Sequence, residues 1–155
     1  MTTVKTDSWH DRDHSKLRHN ETDLSNEQRV ADAIATAWKC IPHPFAKTAP
    51  IDWWLEKEGK VQAFAELKTS MKPMPFALLN SRKFYALTTV AAGFQCRALY
   101  FNQQPDGTIR WCDVLEVYKS ETCVVGSKIV SSYNDIEPAL KIQFKDMKVI
   151  KQPKQ

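Results

Sequence analysis

Three residues near the middle of the chain have the types and spacing of a phosphodiester-cleaving centre. Asp52 lies in one apolar segment, and Glu66 and Lys68 lie in the next, beyond a short polar turn. Two carboxylates supply the hard oxygen ligands that magnesium prefers, alongside water and a substrate phosphate. A lysine ammonium beside them can stabilise a charged phosphorane or orient the attacking water. The three residues therefore indicate metal-assisted hydrolysis.

The segments that carry these residues are predicted to be the two strands of a β-hairpin. The strands are expected at residues 51–55 and 61–70, with the polar residues 56–60 as the turn. Gly59 takes the tight position of that turn. Because side chains alternate between the faces of a strand, Glu66 and Lys68 share one face and Leu67 points to the other. Asp52, on the neighbouring strand, is then expected close enough to Glu66 for both to bind one ion.

These three residues leave two interpretations open. A second Glu-x-Lys triplet, from Glu58 to Lys60, occurs in the predicted turn, where no site is expected. A half-exposed strand with alternating apolar and polar residues would also present Glu66 and Lys68 as an ordinary solvated pair. The spacing is therefore compatible with a metal site and with a solvated strand face.

Another acidic residue precedes the hairpin. Ser25-Asn26-Glu27-Gln28 has the pattern of a capping box, which predicts that a helix starts at Ser25. An apolar stripe at helical spacing follows, made of Val30, Ile34, Trp38 and Ile41. Glu27 lies on the N-terminal extension of this stripe, which makes it a candidate for the site. Alternatively, Glu27 only favours the positive end of the helix dipole.

Turn and breaker residues divide the rest of the chain. Pro42 and Pro44 mark a loop, and a second proline-broken loop follows Lys68. A helix is expected over residues 80–92, ended by Gly93. Further strands are predicted at residues 96–101, 108–117, 123–130 and 140–144, with a turn at 104–107.

This order of elements, with the Asp52 and Glu66-Leu67-Lys68 signature, resembles the PD-(D/E)XK nuclease superfamily. The resemblance covers residues from about 25 to 103. It implies an α/β fold with a restriction-endonuclease-like core, in which helices flank a central mixed β-sheet. The proline that usually adjoins the aspartate is displaced here, in Pro50-Ile51-Asp52.

The resemblance also implies roles for four residues. Asp52 and Glu66 match the metal ligands, Lys68 matches the catalytic lysine, and Glu27 matches the helix acid of many members. All four are therefore candidate catalytic residues, and Mg²⁺ or Mn²⁺ is the expected cofactor. A Holliday-junction-resolvase-like enzyme is one form that such a nuclease can take.

Basic and aromatic residues around the predicted site are candidates for contact with nucleic acid. They are Lys47, Lys72, Arg82 and Lys83 for the phosphate backbone, and Trp54 for stacking on a base. Alternatively, the lysines and the arginine are ordinary solvated surface residues and the tryptophan belongs to the core. A formal net charge of +4 and a pI near 8.9 permit attraction to phosphate without requiring it.

The length of 155 residues predicts one domain, at residues 25–150. A polar, flexible arm is expected at residues 1–24 and a basic tail at 151–155. The four cysteines show no paired Cys-x-x-Cys spacing, which argues against a structural zinc site. The absence of a signal peptide and of a long apolar run predicts an intracellular protein without membrane contact.

Together these features predict a metal-dependent nuclease that hydrolyses DNA phosphodiester bonds. Its size favours a structure-specific endonuclease that acts on branched DNA or on ends, with a homodimer as one arrangement. Two alternatives from other classes stay open. One is a non-catalytic nucleic-acid-binding protein on the same fold, and the other is a protein-interaction or inhibitor module.

Overall fold

The computed structural model describes residues 21–46, 48–117, 120–126 and 136–150, which form helices, strands and one short 3₁₀ turn. The helices are α1 (Glu21–Trp38) and α2 (Ser81–Phe94). The strands are β1 (Ile41–Pro44), β2 (Trp53–Lys57), β3 (Lys60–Thr69), β4 (Phe76–Asn80), β5 (Arg97–Gln103), β6 (Ile109–Asp113), β7 (Glu121–Gly126), β8 (Ile136–Gln143) and β9 (Lys148–Val149). The 3₁₀ turn spans Phe144–Asp146.

The strands form a mixed central sheet and a smaller antiparallel sheet. The six-stranded sheet has the order β1-β2-β3-β5-β6-β9, and the three-stranded sheet has the order β4-β8-β7. Strands β3 and β5 are parallel, while the other neighbours in the large sheet are antiparallel. A parallel pair needs a crossover, and the segment with β4 and α2 supplies it. The predicted α/β fold with a mixed central sheet and flanking helices is confirmed.

Alternation along β3 and β5 divides the core between the two faces of the large sheet. On one face, Leu67 and Phe101 pack with Ile34 of α1. On the other face, Phe64 and Tyr100 pack with residues of α2 and of the small sheet. The face of β3 that carries Glu66 is therefore covered by α2 and the small sheet, rather than facing open solvent.

The predicted hairpin forms between β2 and β3. Its loop consists of Glu58 and Gly59, which have φ values of 54° and 73°. Two consecutive residues with positive φ are typical of the tight type I′ turn, whose twist matches the flanking strands. Gly59 adopts this conformation without the steric cost that a Cβ brings.

Helix α1 begins earlier than the capping box predicts. It starts at Glu21, so that Ser25 lies inside the helix. No proline or glycine precedes Ser25 within this stretch, so nothing in the backbone prevents the helix from extending. The apolar stripe also ends one turn earlier than predicted, because the helix ends at Trp38 and Ile41 lies in β1 with 56% exposure.

One strand occurs where prolines predicted a loop, and another was not predicted. Pro42 and Pro44 lie in β1, which pairs only with β2 at the edge of the large sheet. An edge strand tolerates proline because the missing N–H can face away from its neighbour. The prediction of a loop at Pro42 and Pro44 was wrong for this reason. The second proline-broken loop is present at residues 70–75, and strand β4, which was not predicted, follows it and pairs with β8.

The later boundaries also differ in detail from the sequence predictions. Helix α2 continues through Gly93 to Phe94, and Gln95 takes the left-handed conformation expected of a glycine, with φ of 53°. Strand β7 is Glu121–Gly126 and β8 is Ile136–Gln143, so both begin before the predicted strands. Residues 1–20 of the predicted arm and the predicted tail 151–155 lie outside the described residues.

Within the described residues, no helix has both the length and the apolar character required to cross a bilayer.

Candidate active site

The sequence-predicted acidic residues meet at one pocket of about 430 Å³. Asp52 directly precedes β2, Glu66 lies in β3 and Glu27 lies in α1. Pairing of Trp53 with Ala65 places Asp52 beside Glu66 and Leu67 on the neighbouring strand. The residues that line the pocket are Glu27, Asp52, Glu66, Leu67, Lys68, Thr69, Met71, Leu78, Leu79, Asn80, Lys83 and Tyr100.

The ammonium of Lys83 joins the two central carboxylates. Its Nζ lies 2.8 Å from Asp52 Oδ1 and 2.8 Å from Glu66 Oε2. The three side chains are largely sheltered, with exposures of 27% for Lys83, 19% for Asp52 and 12% for Glu66. One cation thus contacts both acids at the base of the pocket.

Backbone geometry fixes the orientation of Asp52. The amide N–H of Leu67 donates a hydrogen bond to Asp52 Oδ2 over 3.2 Å, while Oδ1 faces Lys83. The hydrogen-bonding capacity of β3 therefore holds one oxygen of the carboxylate and directs the other toward Glu66. A cation between the two acids is favoured, because two carboxylates this close repel each other.

Glu66 has the most perturbed acidity of this group. Burial raises the pKa of Glu66 to about 8, and hydrogen bonding and negative charge from Asp52 act in the same direction, against the opposing effect of Lys83. Although Glu66 Oε2 lies 2.8 Å from Lys83 Nζ, this contact lacks hydrogen-bond alignment. The oxygen is buried without any aligned partner in the described part of the chain.

Lys83 is positioned by the start of α2. Asn80 is the N-cap of the helix, and its Oδ1 accepts a hydrogen bond from the Lys83 backbone N–H over 3.0 Å. Burial alone would lower the pKa of the Lys83 ammonium, but the negative charges of Glu66 and Asp52 and the hydrogen bond to Asp52 outweigh burial and raise it. Lys83 therefore stays positively charged in the pocket.

Lys68 and Glu27 border the pocket that holds the central ion pairs. Lys68 is exposed and lies two residues beyond Glu66, on the predicted side of β3. Within the described residues Lys68 forms no ion pair of its own. Glu27 is half-buried and reaches the pocket from α1. The structure thus brings Glu27, Asp52, Glu66 and Lys68 to one place.

A buried polar network extends from the pocket, and the sequence analysis did not single it out. Tyr100 pairs in register with Glu66 and donates a hydrogen bond from Oη to the carbonyl of Leu78 over 2.8 Å. Asn102 donates to Tyr100 Oη over 3.4 Å and accepts from the side chain of Gln104. These residues read as ordinary strand positions, so no local sequence signal could have identified them.

Unlike the candidate catalytic residues, the candidate nucleic-acid contacts do not all lie at the central pocket. Lys72 is exposed in the β3–β4 loop, beside a second groove that shares Lys68 with the central pocket. Arg82 is exposed in the first turn of α2, whereas Lys83 is inside the pocket rather than on an outer phosphate-contacting surface. The indole of Trp54 is stacked on the His43 ring, with centroids 4.0 Å apart. Lys47 lies outside the described residues.

The pocket suits a divalent cation in its donor chemistry. Within the described residues, no group of three or more histidine, cysteine, aspartate or glutamate side chains forms a preassembled metal cluster. Asp52 and Glu66 nevertheless direct two oxygens to one point, and Glu66 Oε2 has no aligned hydrogen-bond donor. Magnesium is commonly bound by one or two carboxylates and completes its shell with water and phosphate oxygens. The residues present therefore fit such an ion.

Comparison with known proteins identifies the family. Residues 16–150 match the family model described as "Phage putative PDDEXK endonuclease". The chain belongs to this PDDEXK family. A search of curated proteins finds no significant match. The family match confirms the resemblance stated from the Asp52, Glu66 and Lys68 signature.

A solved structure shares the fold of this PDDEXK-family chain. It is Hjc from Archaeoglobus fulgidus, a Holliday junction resolvase from an archaeal hyperthermophile. The two chains superpose with a TM-score of 0.50 at 16% sequence identity, and the match covers 77% of this chain and 82% of Hjc. At this identity the likeness shows the fold alone. Family and fold together support nuclease function.

Proposed function

We propose that this PDDEXK-family protein is an Mg²⁺- or Mn²⁺-dependent endonuclease that hydrolyses phosphodiester bonds in DNA. Asp52 and Glu66 hold the metal, Lys68 assists the attacking water, and Glu27 supports the site. One observation carries the proposal. Asp52 Oδ1 and Glu66 Oε2 converge on one positive group, the Lys83 ammonium, whose Nζ lies 2.8 Å from each oxygen. Lys68 and Glu27 border the same pocket.

The chemistry follows from where each residue lies. When bound, the metal polarises a phosphate oxygen and lowers the pKa of a coordinated water. Lys68 is exposed at the border of the pocket, so its flexible side chain can reach a phosphate that enters from solvent. Hydrolysis forms a bond from the water oxygen to phosphorus and breaks one phosphorus–oxygen ester bond. The Lys68 ammonium stabilises the negative charge that accumulates on the phosphoryl oxygens.

The outer basic residues complete the proposed substrate surface. Lys72 and Arg82 are exposed on two segments that lead to the pocket, the β3–β4 loop and the start of α2. Charges in these positions can contact phosphates on either side of the scissile bond. Trp54 remains the candidate for base contact, through the parts of its indole that His43 does not cover.

We propose that substrate selection depends on DNA shape, with branched DNA or ends as the preferred substrate. The described residues form one α/β unit around the site, without a separate sequence-reading domain among them. The likeness to a junction resolvase agrees with this choice at the level of fold. A homodimer belongs to the proposal, because a symmetric branched substrate presents two equivalent strands to two equivalent sites. The free thiols Cys40, Cys96 and Cys112 support an intracellular setting.

A cleavage panel tests the proposal. Supercoiled, linear and four-way-branched DNA are incubated with wild type and with Lys68→Ala, in Mg²⁺, Mn²⁺ or EDTA. We expect cutting in either metal, none in EDTA, and a rate at least about 100-fold lower in Lys68→Ala. The substrate that is cut fastest identifies the structural preference, and light scattering gives the mass of the active species.

Two results would overturn the proposal. DNA binding by both proteins without cleavage in either metal would identify a non-catalytic nucleic-acid-binding protein on this fold. Failure to bind DNA or metal would instead favour the protein-interaction module. Equal cutting by wild type and Lys68→Ala would remove Lys68 from the mechanism and refute the proposed division of roles.

A further inference from the structure

Lys83 was expected only as a contact to the phosphate backbone, and its position in the structure is more specific than that. Its ammonium lies between the same two oxygens that are proposed to bind the metal, 2.8 Å from each. Lys83 lies 31 residues along the chain from Asp52, and its backbone N–H donates to the Asn80 side chain at the helix cap. Neither the Glu-x-Lys signature nor the proposed mechanism gives this residue a role.

A metal ion and the Lys83 ammonium cannot occupy this position together. A Mg²⁺ ion requires carboxylate oxygens at about 2.0–2.1 Å. An ion bound to these two oxygens on the side where Nζ lies would overlap the ammonium, which is 2.8 Å from each oxygen. Two cations at such a separation in a sheltered pocket also repel each other strongly. Lys83 must therefore leave Asp52 and Glu66 before both can bind the metal.

The contacts of Lys83 are consistent with a replaceable partner. Asp52 is anchored independently, because its Oδ2 accepts the Leu67 N–H. Glu66 Oε2 is close to Nζ, yet it has no aligned hydrogen bond among the described residues. The carboxylates are thus held near each other by the strands, and the ammonium neutralises them without completing the hydrogen bonding of Glu66.

We propose that Lys83 is a resident counter-ion that occupies the metal position in the metal-free protein and moves to the substrate phosphate when the metal binds. The inference rests on the proposed function, because it takes Asp52 and Glu66 as the metal ligands. The long side chain starts in the first turn of α2, so it can leave the carboxylates while its backbone stays fixed. The basic start of α2, with Arg82 beside it, is the side of the pocket to which a phosphate would be drawn.

In the metal-free state, the strands hold the two acids near each other and Lys83 offsets their negative charge. In the metal-bound state, Lys83 and Lys68 each place a positive charge beside the substrate phosphate. Replacing Lys83 with a neutral residue should therefore have two opposite effects. It should strengthen metal binding, because no cation must be displaced, and it should slow cleavage, because one phosphate contact is lost.

Isothermal titration of the purified protein with Mn²⁺, without DNA, measures the first effect. We expect the Kd for Mn²⁺ to fall about tenfold in Lys83→Met and to stay close to the wild-type value in Lys83→Arg. Lys68→Met is the matched control, since it removes one positive charge from the same pocket without removing the ion pairs. Its Kd should change by less than about twofold, because an exposed charge is screened by solvent.

The kinetic counterpart is a split between metal affinity and turnover. Lys83→Met should reach half-maximal cleavage at a lower Mn²⁺ concentration than wild type, but with a lower maximal rate. Lys68→Met should lower the maximal rate without the change in metal dependence. A purely structural role of Lys83 would instead weaken metal binding and cleavage together.

A direct observation avoids dependence on the folding of Lys83→Met. In protein with ¹³C-labelled lysine, the ε-methylene NMR signal of Lys83 is assigned by its absence from Lys83→Arg. We expect this signal to shift on addition of Mg²⁺, while that of Lys60 in the distant turn does not. An unchanged Lys83 signal at saturating Mg²⁺ overturns the inference.

The outcomes separate this inference from the proposed function. If wild type and Lys83→Met bind Mn²⁺ equally, or if Lys68→Met matches the gain of Lys83→Met, the counter-ion role is wrong while metal-dependent cleavage can stand. If the wild type binds no metal at concentrations up to 10 mM or so in calorimetry, the proposed function is overturned together with the inference.

Discussion

Replacing Glu66 with glutamine is expected to stabilise the metal-free protein while it abolishes cleavage. Glu66 is buried beside Asp52, and these surroundings raise its pKa from an ordinary value of 4.5 to about 8. Glutamine has nearly the same shape but no charge. The substitution therefore removes a buried carboxylate whose ionised form destabilises the folded protein. Active sites often contain such unfavourable charged groups.

The pH range and the size of the effect follow from the two pKa values. Between pH 4.5 and about 8 the folded protein retains a proton on Glu66 that the unfolded chain releases. The contribution of Glu66 to stability is therefore full below pH 4.5 and is lost as the pH rises through about 8. At about 1.36 kcal/mol per pKa unit, the whole change is on the order of 5 kcal/mol. This change already includes the attraction of Lys83 for the Glu66 carboxylate. Because the glutamine amide does not reproduce every contact of the protonated carboxyl group, we expect a net gain of about 1–3 kcal/mol at pH 8.

Urea denaturation in EDTA at several pH values from 5 to 9 measures this difference. The wild-type free energy of unfolding should fall with rising pH, and the fall should be much smaller in Glu66→Gln. The gain at pH 8 corresponds to a rise in Tm of about 5 °C for a domain of this size. Glu58→Gln is the matched control, because Glu58 begins the exposed Glu-x-Lys triplet of the hairpin turn. A Glu66→Gln protein that is less stable than wild type at every pH would refute the argument that burial dominates the energetics of Glu66.

Three other substitutions or reactions test the fold around the site. Phe101→Ala should lower the free energy of unfolding by about 3–5 kcal/mol in urea denaturation, because Phe101 is fully buried beneath α1; a loss below 1 kcal/mol or so would contradict this packing. Gly59→Ala should cost about 1 kcal/mol in the same assay, since Gly59 has φ of 73°, and an unchanged midpoint would argue against the tight turn. Burial raises the pKa of Cys112 to about 12, so a thiol reagent at pH 8 should modify Cys112 only after unfolding, whereas rapid modification in the native protein would show that this face of the sheet is open.

The hairpin and its acids could be predicted because their signals are local. Alternation along residues 61–70 assigns Glu66 and Lys68 to one face, and Gly59 between two polar residues marks the turn. The structure has this turn and places Asp52 beside β3 through a pairing that a two-residue loop enforces. Short-range sequence chemistry was sufficient for this part of the candidate site.

Strands β4 and β1 could not be predicted in the same way. Prolines flank or occupy both regions, and a proline in a sequence does not reveal whether its strand lies at an edge. Strand β4 is only five residues long and gains its stability from pairing with β8, more than 50 residues later in the chain. Such a pairing depends on tertiary contacts that no local window contains.

Lys83 illustrates the same limit within the site. Its sequence neighbours suggest an exposed basic start of a helix, which led to an expected contact with a phosphate backbone. The fold instead places its ammonium against Asp52 and Glu66. The segment from β4 to α2 brings this lysine into the pocket, and only the crossover between the parallel strands β3 and β5 determines that placement.

The most direct test of the central claim compares two chemically equal substitutions in single-turnover cleavage. Glu66→Gln and Glu58→Gln each remove one carboxylate from a Glu-x-Lys triplet, the first in the pocket and the second in the turn. With branched DNA and Mg²⁺, we expect Glu66→Gln to cut at least about 100-fold more slowly than wild type. We expect Glu58→Gln to cut at the wild-type rate. Equal rates for the two variants would contradict the assignment of the active site to Asp52, Glu66 and Lys68.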